Sequence, residues 1–183
     1  MSNQNLISII LFLNVTSDGF DSDFSSGSIT NTFFVNIGGD ALDFSGSKVQ
    51  IKNIKANNVK DKVISAGESS NLDVSNLEFT NIGVGVASKD GSVVNVNNCL
   101  INDTKFIAFM TYIKKKNYSS PSLIIENCVI NFMKKDSKLY SNKNNDLRYF
   151  RQKGTSLKVL GIDKIIEKNL NVDLLYKTTV MNK

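Results

Sequence analysis

The sequence predicts an all-β chain: a single-stranded right-handed parallel β-helix of roughly 22-residue coils, with an irregular C-terminal tail. Three observations carry that prediction. Four apolar columns share one series of steps, two polar columns follow the same register, and apolar residues alternate with polar ones within each repeat.

The first apolar column is Ile7, Ile29, Ile51, Val74, Val96 and Ile125, with steps of 22, 22, 23, 22 and 29 residues. The same steps generate Ile10, Thr32, Ile54, Leu77, Cys99 and Cys128, then Phe12, Phe34, Ala56, Phe79, Ile101 and Ile130, then Val15, Ile37, Val59, Ile82, Thr104 and Met133. Asparagine repeats with them. Asn31, Asn53, Asn76, Asn98 and Asn127 form one column, and Asn14, Asn36, Asn58 and Asn81 a second, which Asp103 continues. Around these positions the alternation is that of a strand, as in Val49-Gln50-Ile51 and Val94-Asn95-Val96. Asn, Gly, Ser and Asp bound each short run and favour turns.

One such unit cannot bury its own apolar face. Stacked at strand spacing, successive units bury it and pair each backbone with the coil above and below. Asparagines stacked at one corner are expected to bond amide to amide. A leucine-rich horseshoe is the rival architecture, but Val, Ile and Phe occupy the columns and the Leu-rich consensus is absent.

The repeats are assigned to residues 1–133, and residues 134–183 to a degenerate coil and a C-terminal cap or tail. The longest step contains about seven extra residues by the repeat arithmetic. They are expected to leave the coil as a loop around Lys114-Lys115-Lys116-Asn117-Tyr118-Ser119-Ser120-Pro121, because the columns resume at Leu123. The apolar stretch Leu6 to Leu13 has no Lys or Arg before it and no small-residue cleavage site after it. It is too short to span a bilayer, and its residues fall in the repeat columns, so it reads as half a coil. The chain thus begins mid-coil, with an apolar cross-section and a strand edge to cover. Missing coils or end-to-end stacking with another subunit would cover them. Beyond the repeat, Ser156-Leu157-Lys158-Val159-Leu160 reads as a further strand or degenerate coil, and Leu170 to Leu175 as a last strand or short helix.

Composition narrows the chemistry. Of the 183 residues 41% are hydrophobic, enough for a sizeable core in one domain. There is no His, which excludes Ser-His-Asp and Cys-His sites and His-ligated metals. A proton-transfer group would have to be Asp, Glu, Lys or Tyr. The net charge of +5 is modest and carried mostly by Lys, so it reads as a solvated face and no nucleic-acid partner is expected. Cys99 and Cys128 have no CxxC spacing. They share a column on adjacent coils, and they serve either as small apolar fillers or as a disulfide.

The runs Asp18-Gly-Phe-Asp-Ser-Asp-Phe-Ser-Ser-Gly, Ile37-Gly-Gly-Asp-Ala-Leu-Asp-Phe-Ser-Gly-Ser, Asp61-Lys-Val-Ile-Ser-Ala-Gly-Glu-Ser-Ser and Val86-Ala-Ser-Lys-Asp-Gly-Ser resemble the pectate-lyase-like β-helix repeat superfamily, in particular the repeat regions of bacterial secreted or surface proteins. The resemblance covers roughly residues 5–133 and is specific for the fold, not for chemistry. It implies a secreted or surface location and an outer face suited to polysaccharide. It also raises the prospect of a lyase, hydrolase or epimerase.

Hydrolases of that class use clustered aspartates, and lyases pair acidic residues on Ca²⁺ with a basic residue. Asp18 and Asp40 are 22 residues apart, as are Asp21 and Asp43, so each pair is expected to stack, with Asp61 continuing the first ladder. These four aspartates are the catalytic candidates if the chain is an enzyme, and Asp18 with Asp40 would offer Ca²⁺ a site. Gly39-Asp40-Ala41-Leu42-Asp43 resembles the galacturonase Gly-Asp-Asp motif but carries Ala41 in place of its second Asp, and the Gly-His-Gly partner is absent. Glu68 and Asp90, also 22 apart, make another stack. The simpler account is that Asp before a turn bonds backbone and recurs because the coil recurs. Arg148 and Arg151 lie outside the repeat, and Lys62 and Lys89 are assigned no role. The binding candidates are therefore Asp40, Asp43, Asp61, Glu68, Asp90, Tyr112 and Tyr118. The expected function is a non-catalytic structural or carbohydrate-binding module, with a stacked-aspartate enzyme and an end-to-end assembly module as alternatives.

Overall fold

The computed structural model describes residues 8–131 and 148–161. Among them there is no helix. The strands are β1 (Ile10–Val15), β2 (Phe20–Asp23), β3 (Ser26–Ile37), β4 (Leu42–Ser45), β5 (Lys48–Gly67), β6 (Asn71–Lys89), β7 (Val93–Tyr112), β8 (Ser122–Asn131), β9 (Tyr149–Arg151) and β10 (Ser156–Val159). Every pairing is parallel, and β1, β3, β5, β6, β7, β8 and β10 stack in that order. The chain is a parallel β-solenoid with one coil per repeat.

The register matches the repeat arithmetic. Phe12, Phe34, Ala56, Phe79, Ile101 and Ile130 are successive partners, and so are Ile10, Thr32, Ile54, Leu77, Cys99 and Cys128. Phe34, Ile51, Ile54, Phe79, Ile101 and Leu123 lie in the solenoid core, and the Phe12 and Phe34 rings stack with centroids 4.9 Å apart. Each such side chain contributes about 1.5–3 kcal/mol by leaving water. Ile7 and Met133 lie outside the described residues, as does the segment Leu170 to Leu175.

Strands of 19 and 20 residues would run far beyond the width of a coil if straight. They bend because the corner residues take left-handed backbone. Asn53 and Asn58 both have φ 58°, and Asn14, Asn31, Asn36, Asn76, Asn81, Asn98, Asp103 and Asn127 all lie between 52° and 61°. Asn and Asp tolerate this region better than other side-chain-bearing residues. The amides also bond from coil to coil. Asn36 Nδ2 donates to Asn14 Oδ1 (2.8 Å), Asn58 to Asn36 (2.9 Å) and Asn81 to Asn58 (3.2 Å). Asn53 donates to Asn31 (2.9 Å), Asn76 to Asn53 (3.0 Å) and Asn98 to Asn76 (2.9 Å). The ladder that begins at Asn31 changes partner at the insertion, where Asn127 donates to Asn97 rather than Asn98.

A third ladder was not anticipated. Ser25 N–H donates to Ser47 Oγ, Ser47 N–H to Ser70 Oγ and Ser70 N–H to Ser92 Oγ, at 3.0–3.1 Å. Ser47, Ser70 and Ser92 are buried, so these hydroxyls satisfy amides that water cannot reach.

The inserted residues form a loop between β7 and β8, as the step of 29 predicts. Beyond it, Ser156–Val159 stacks on β8 and Tyr149–Arg151 on β7. The stretch from Ile10 to Leu13 lies in β1 as expected. Its Ile10, an inward position, is 50% exposed because no strand among the described residues pairs with the far edge of β1, while Leu11 and Leu13 alternate outward, in the columns of Lys55 and Asn57.

Candidate functional site

Two parts of the outer surface carry concentrated polar chemistry. The first is a shallow groove of about 430 Å³ along the face that begins each coil. Alternation points Val49, Ile51, Val74 and Val96 inward and leaves Gln50, Lys52, Asp73, Ser75, Asn95 and Asn97 outward. Register turns these into two columns: Gln50, Asp73, Asn95 and Ile124, then Lys52, Ser75, Asn97 and Glu126. The rungs are about 4.8 Å apart. Asn95 Nδ2 donates to Asp73 Oδ1 at 2.9 Å. The groove thus presents amides, carboxylates, a hydroxyl and one ammonium at a regular spacing.

The second part is a charged cluster on the face formed by β4 and the latter halves of β5, β6 and β7. One outward column runs Asp21, Asp43, Ser65, Ala87, Met110 and Phe150. It changes from charged to apolar along the solenoid, and Ala87, Met110 and Phe150 join Val84, Ile107 and Tyr112 in a second apolar cluster. Asp21 and Asp43 stack as expected. Partial burial raises the Asp21 carboxyl above its ordinary value, helped by the carboxylates of Asp43, Asp23 and Asp18.

The Asp18 ladder runs differently from its expected course. Asp18 Oδ1 accepts the Asp40 N–H (2.6 Å), and Asp40 Oδ1 accepts the Lys62 N–H (2.9 Å). The third rung is therefore Lys62, not Asp61. The register keeps its 22-residue step on both sides of this position, Ile37 with Val59 and Leu42 with Ile64, so Lys62 falls in step with Asp40. Asp61 lies one position earlier and turns its carboxylate to the same lysine. Lys62 Nζ stands 2.9 Å from Asp40 Oδ1 and 2.8 Å from Asp61 Oδ2, with the three side chains only 6%, 7% and 21% exposed. Burial pushes the Asp40 carboxyl up to about 6 against the opposing pull of Lys62. Burial pulls the Lys62 ammonium down, but Asp40 and then Asp61 hold it above its ordinary value. Two carboxylates share one ammonium in a dry site, so burial and the neighbouring Asp61 charge shift Asp40 toward its protonated form while Lys62 opposes that shift.

Lys89 is the second buried cation. Its Nζ lies 3.8 Å from Asp43 Oδ1, and its chain passes over Gly67, where an added Cβ would stand 3.4 Å from Lys89 Cε. Burial lowers the Lys89 ammonium, Asp43 opposes that, and the like charge of Lys62 adds to the lowering. Asp43 Oδ1, Asp61 Oδ1 and Ser65 Oγ are buried without a hydrogen-bond partner. Among the described residues, no group of three or more His, Cys, Asp or Glu side chains is arranged to hold a metal ion.

Glu68 and Asp90 hold the inserted loop. Asp90 Oδ1 accepts the N–H groups of Lys114 (2.6 Å) and Lys115 (2.7 Å). Lys115 Nζ pairs with Glu68 Oε1, and the Tyr118 hydroxyl donates to Glu68 Oε2 at 3.4 Å. The bond from Lys115 holds the Glu68 carboxyl below its ordinary range, and Lys115 is raised in turn. Tyr112 is 4% exposed, in the second apolar cluster, and Phe109 stacks on Tyr149 inside the solenoid, their centroids 6.1 Å apart. Cys99 and Cys128 stand in register and are joined by a disulfide.

Sequence reasoning missed Lys62, Lys89 and the serine ladder. The signal for Lys62 was present, since it follows Asp40 by 22 residues; so was that of the serines, whose steps are 22, 23 and 22. No protein family, curated protein or solved structure matches this chain. No helix among the described residues is long and apolar enough to cross a membrane.

Proposed function

We propose that this chain is a non-catalytic β-solenoid module that binds an extended, hydroxyl-rich polymer, a polysaccharide, along its outer face, as part of a bacterial secreted or surface protein. The observation that carries the reading is the groove over β5, β6, β7 and β8. Its two columns repeat at strand spacing, and a linear polymer laid across the rungs meets hydrogen-bonding side chains at successive steps, every position but Ile124 being polar. The Cys99–Cys128 disulfide suits an oxidising location.

The test is affinity electrophoresis against neutral and acidic polysaccharides, with and without Ca²⁺, alongside a reducing-end assay. Retention by at least one polymer is expected, weakened by Gln50→Ala with Asn95→Ala. Each lost polar contact is worth about 1 kcal/mol, or roughly fivefold in affinity. No new chain ends are expected. New ends that Asp43→Ala or Asp40→Ala abolishes would establish the stacked-aspartate enzyme instead. A second reading, end-to-end assembly, draws on the exposed Ile10, Leu11 and Leu13 at the edge of β1. Concentration-dependent mass in sedimentation would support it.

A further inference from the structure

We propose that Lys62 and Asp40 condense into an intramolecular amide bond that joins one coil covalently to the next. The geometry supplies each part such a reaction needs. The nucleophile is Lys62 Nζ, held 2.9 Å from a carboxylate oxygen of Asp40 and almost wholly out of water. The electrophile is the Asp40 carboxyl, and the Lys62 backbone N–H already donates to its Oδ1 at 2.9 Å. That donor is placed where negative charge grows when the carboxyl carbon is attacked. The proton acceptor is Asp61, whose Oδ2 lies 2.8 Å from Nζ and whose Oδ1 is buried without a partner. Burial, by favouring the protonated Asp40 carboxyl, also favours the form that can lose water.

The step balances without a co-reactant. The Lys62 ammonium passes one proton to Asp61, and the neutral amine attacks the protonated Asp40 carboxyl carbon. An N–C bond forms and the carbon–hydroxyl bond breaks. The hydroxyl leaves as water, taking the second nitrogen proton, and Asp61 later gives its proton to solvent. Holding the groups within one coil step replaces a bimolecular condensation with an intramolecular one, where effective concentrations become very large. Burial of both groups keeps water from reversing it. An exposed ion pair would offer neither advantage.

Intact mass spectrometry of the full chain, with the disulfide reduced, tests this. The wild-type mass is expected to be lower than the sequence mass by one water. A tryptic digest should lose cleavage after Lys62 and contain a branched peptide joining Lys62 to Asp40. Lys62→Arg keeps a cation between the two carboxylates and should show the full mass, with an unchanged circular dichroism spectrum as the check on folding. Asp61→Asn should slow or abolish the loss of water. Full mass in the wild-type chain after prolonged incubation would overturn the proposal. So would a loss of water that persists in Lys62→Arg, which would assign it to aspartyl dehydration at Asp18-Gly19 or Asp90-Gly91.

Discussion

Replacing Asn53 separates the two roles of the corner asparagines. Asn53 has φ 58°, donates to Asn31 at 2.9 Å and accepts from Asn76 at 3.0 Å. Asn53→Ala forces an ordinary side chain into left-handed backbone, which costs about 1–2 kcal/mol. It also removes both amide bonds, each worth about 0.5 kcal/mol because the ladder is exposed. The expected loss is about 2–3 kcal/mol. Asn53→Gly relieves the backbone strain but loses the same bonds and gains disorder in the unfolded chain, for a loss of about 1–2 kcal/mol. Asn53→Asp keeps a residue that tolerates this backbone and still accepts from Asn76, so it should lose least, about 0.5–1 kcal/mol. Urea unfolding followed by circular dichroism gives all three values on one scale. If the Ala variant is no less stable than the Gly variant, the left-handed corner is not what selects asparagine. If Ala falls within 0.5 kcal/mol of wild type, neither term operates, and the account of the corners is wrong.

Other perturbations probe the remaining devices. Removing the disulfide by Cys99→Ala with Cys128→Ala opens a loop closed over a separation of 29 residues, and the chain-entropy estimate is a loss of about 3.6 kcal/mol in the same urea titration. A Cβ at Gly38 would run into the Thr16 carbonyl of the coil below, so Gly38→Ala should destabilise by about 1–3 kcal/mol, and an unchanged midpoint would show that the coils part easily there. Glu68→Gln removes the charge that holds Lys115, and hydrogen exchange of residues 113–121 should quicken while that of β6 and β7 does not. The same tether depends on pH. Because the folded Glu68 is held below its ordinary range, its contribution is complete above the unfolded value of 4.5 and is lost as pH falls through the lowered folded one. Exchange in the loop, corrected for the intrinsic rate, should rise only in that acidic window.

What the sequence revealed and what it concealed divide along a physical line. Columns of Ile, Val and Phe are readable because the requirement they meet, one face in the core on every coil, recurs with the coil. Asparagine is readable as a ladder, yet its repetition has a second cause that spacing alone does not expose, the left-handed corner at Asn53, Asn58 and their counterparts. The insertion was legible because Leu123 and Ile125 return to register after it. The charged cluster was not. Asp61 was placed in the ladder as the nearest carboxylate, but it lies 21 residues after Asp40, and the unbroken 22-residue step from β3 and β4 to β5 gives the rung to Lys62. Lys62 and Lys89 look like solvated lysines in the sequence, as most lysines are. Their burial is not visible in the spacing, and neither is the change of the neighbouring outward column from Asp43 and Ser65 to the apolar Ala87 and Met110 on the coils that follow. A one-dimensional repeat predicts which residues stack; it does not predict which outward columns are covered. Lysine chemistry depends on that cover, because an ammonium is inert as a nucleophile, and Lys62, which its two carboxylates hold above its ordinary value, becomes an amine only by passing a proton to one of them.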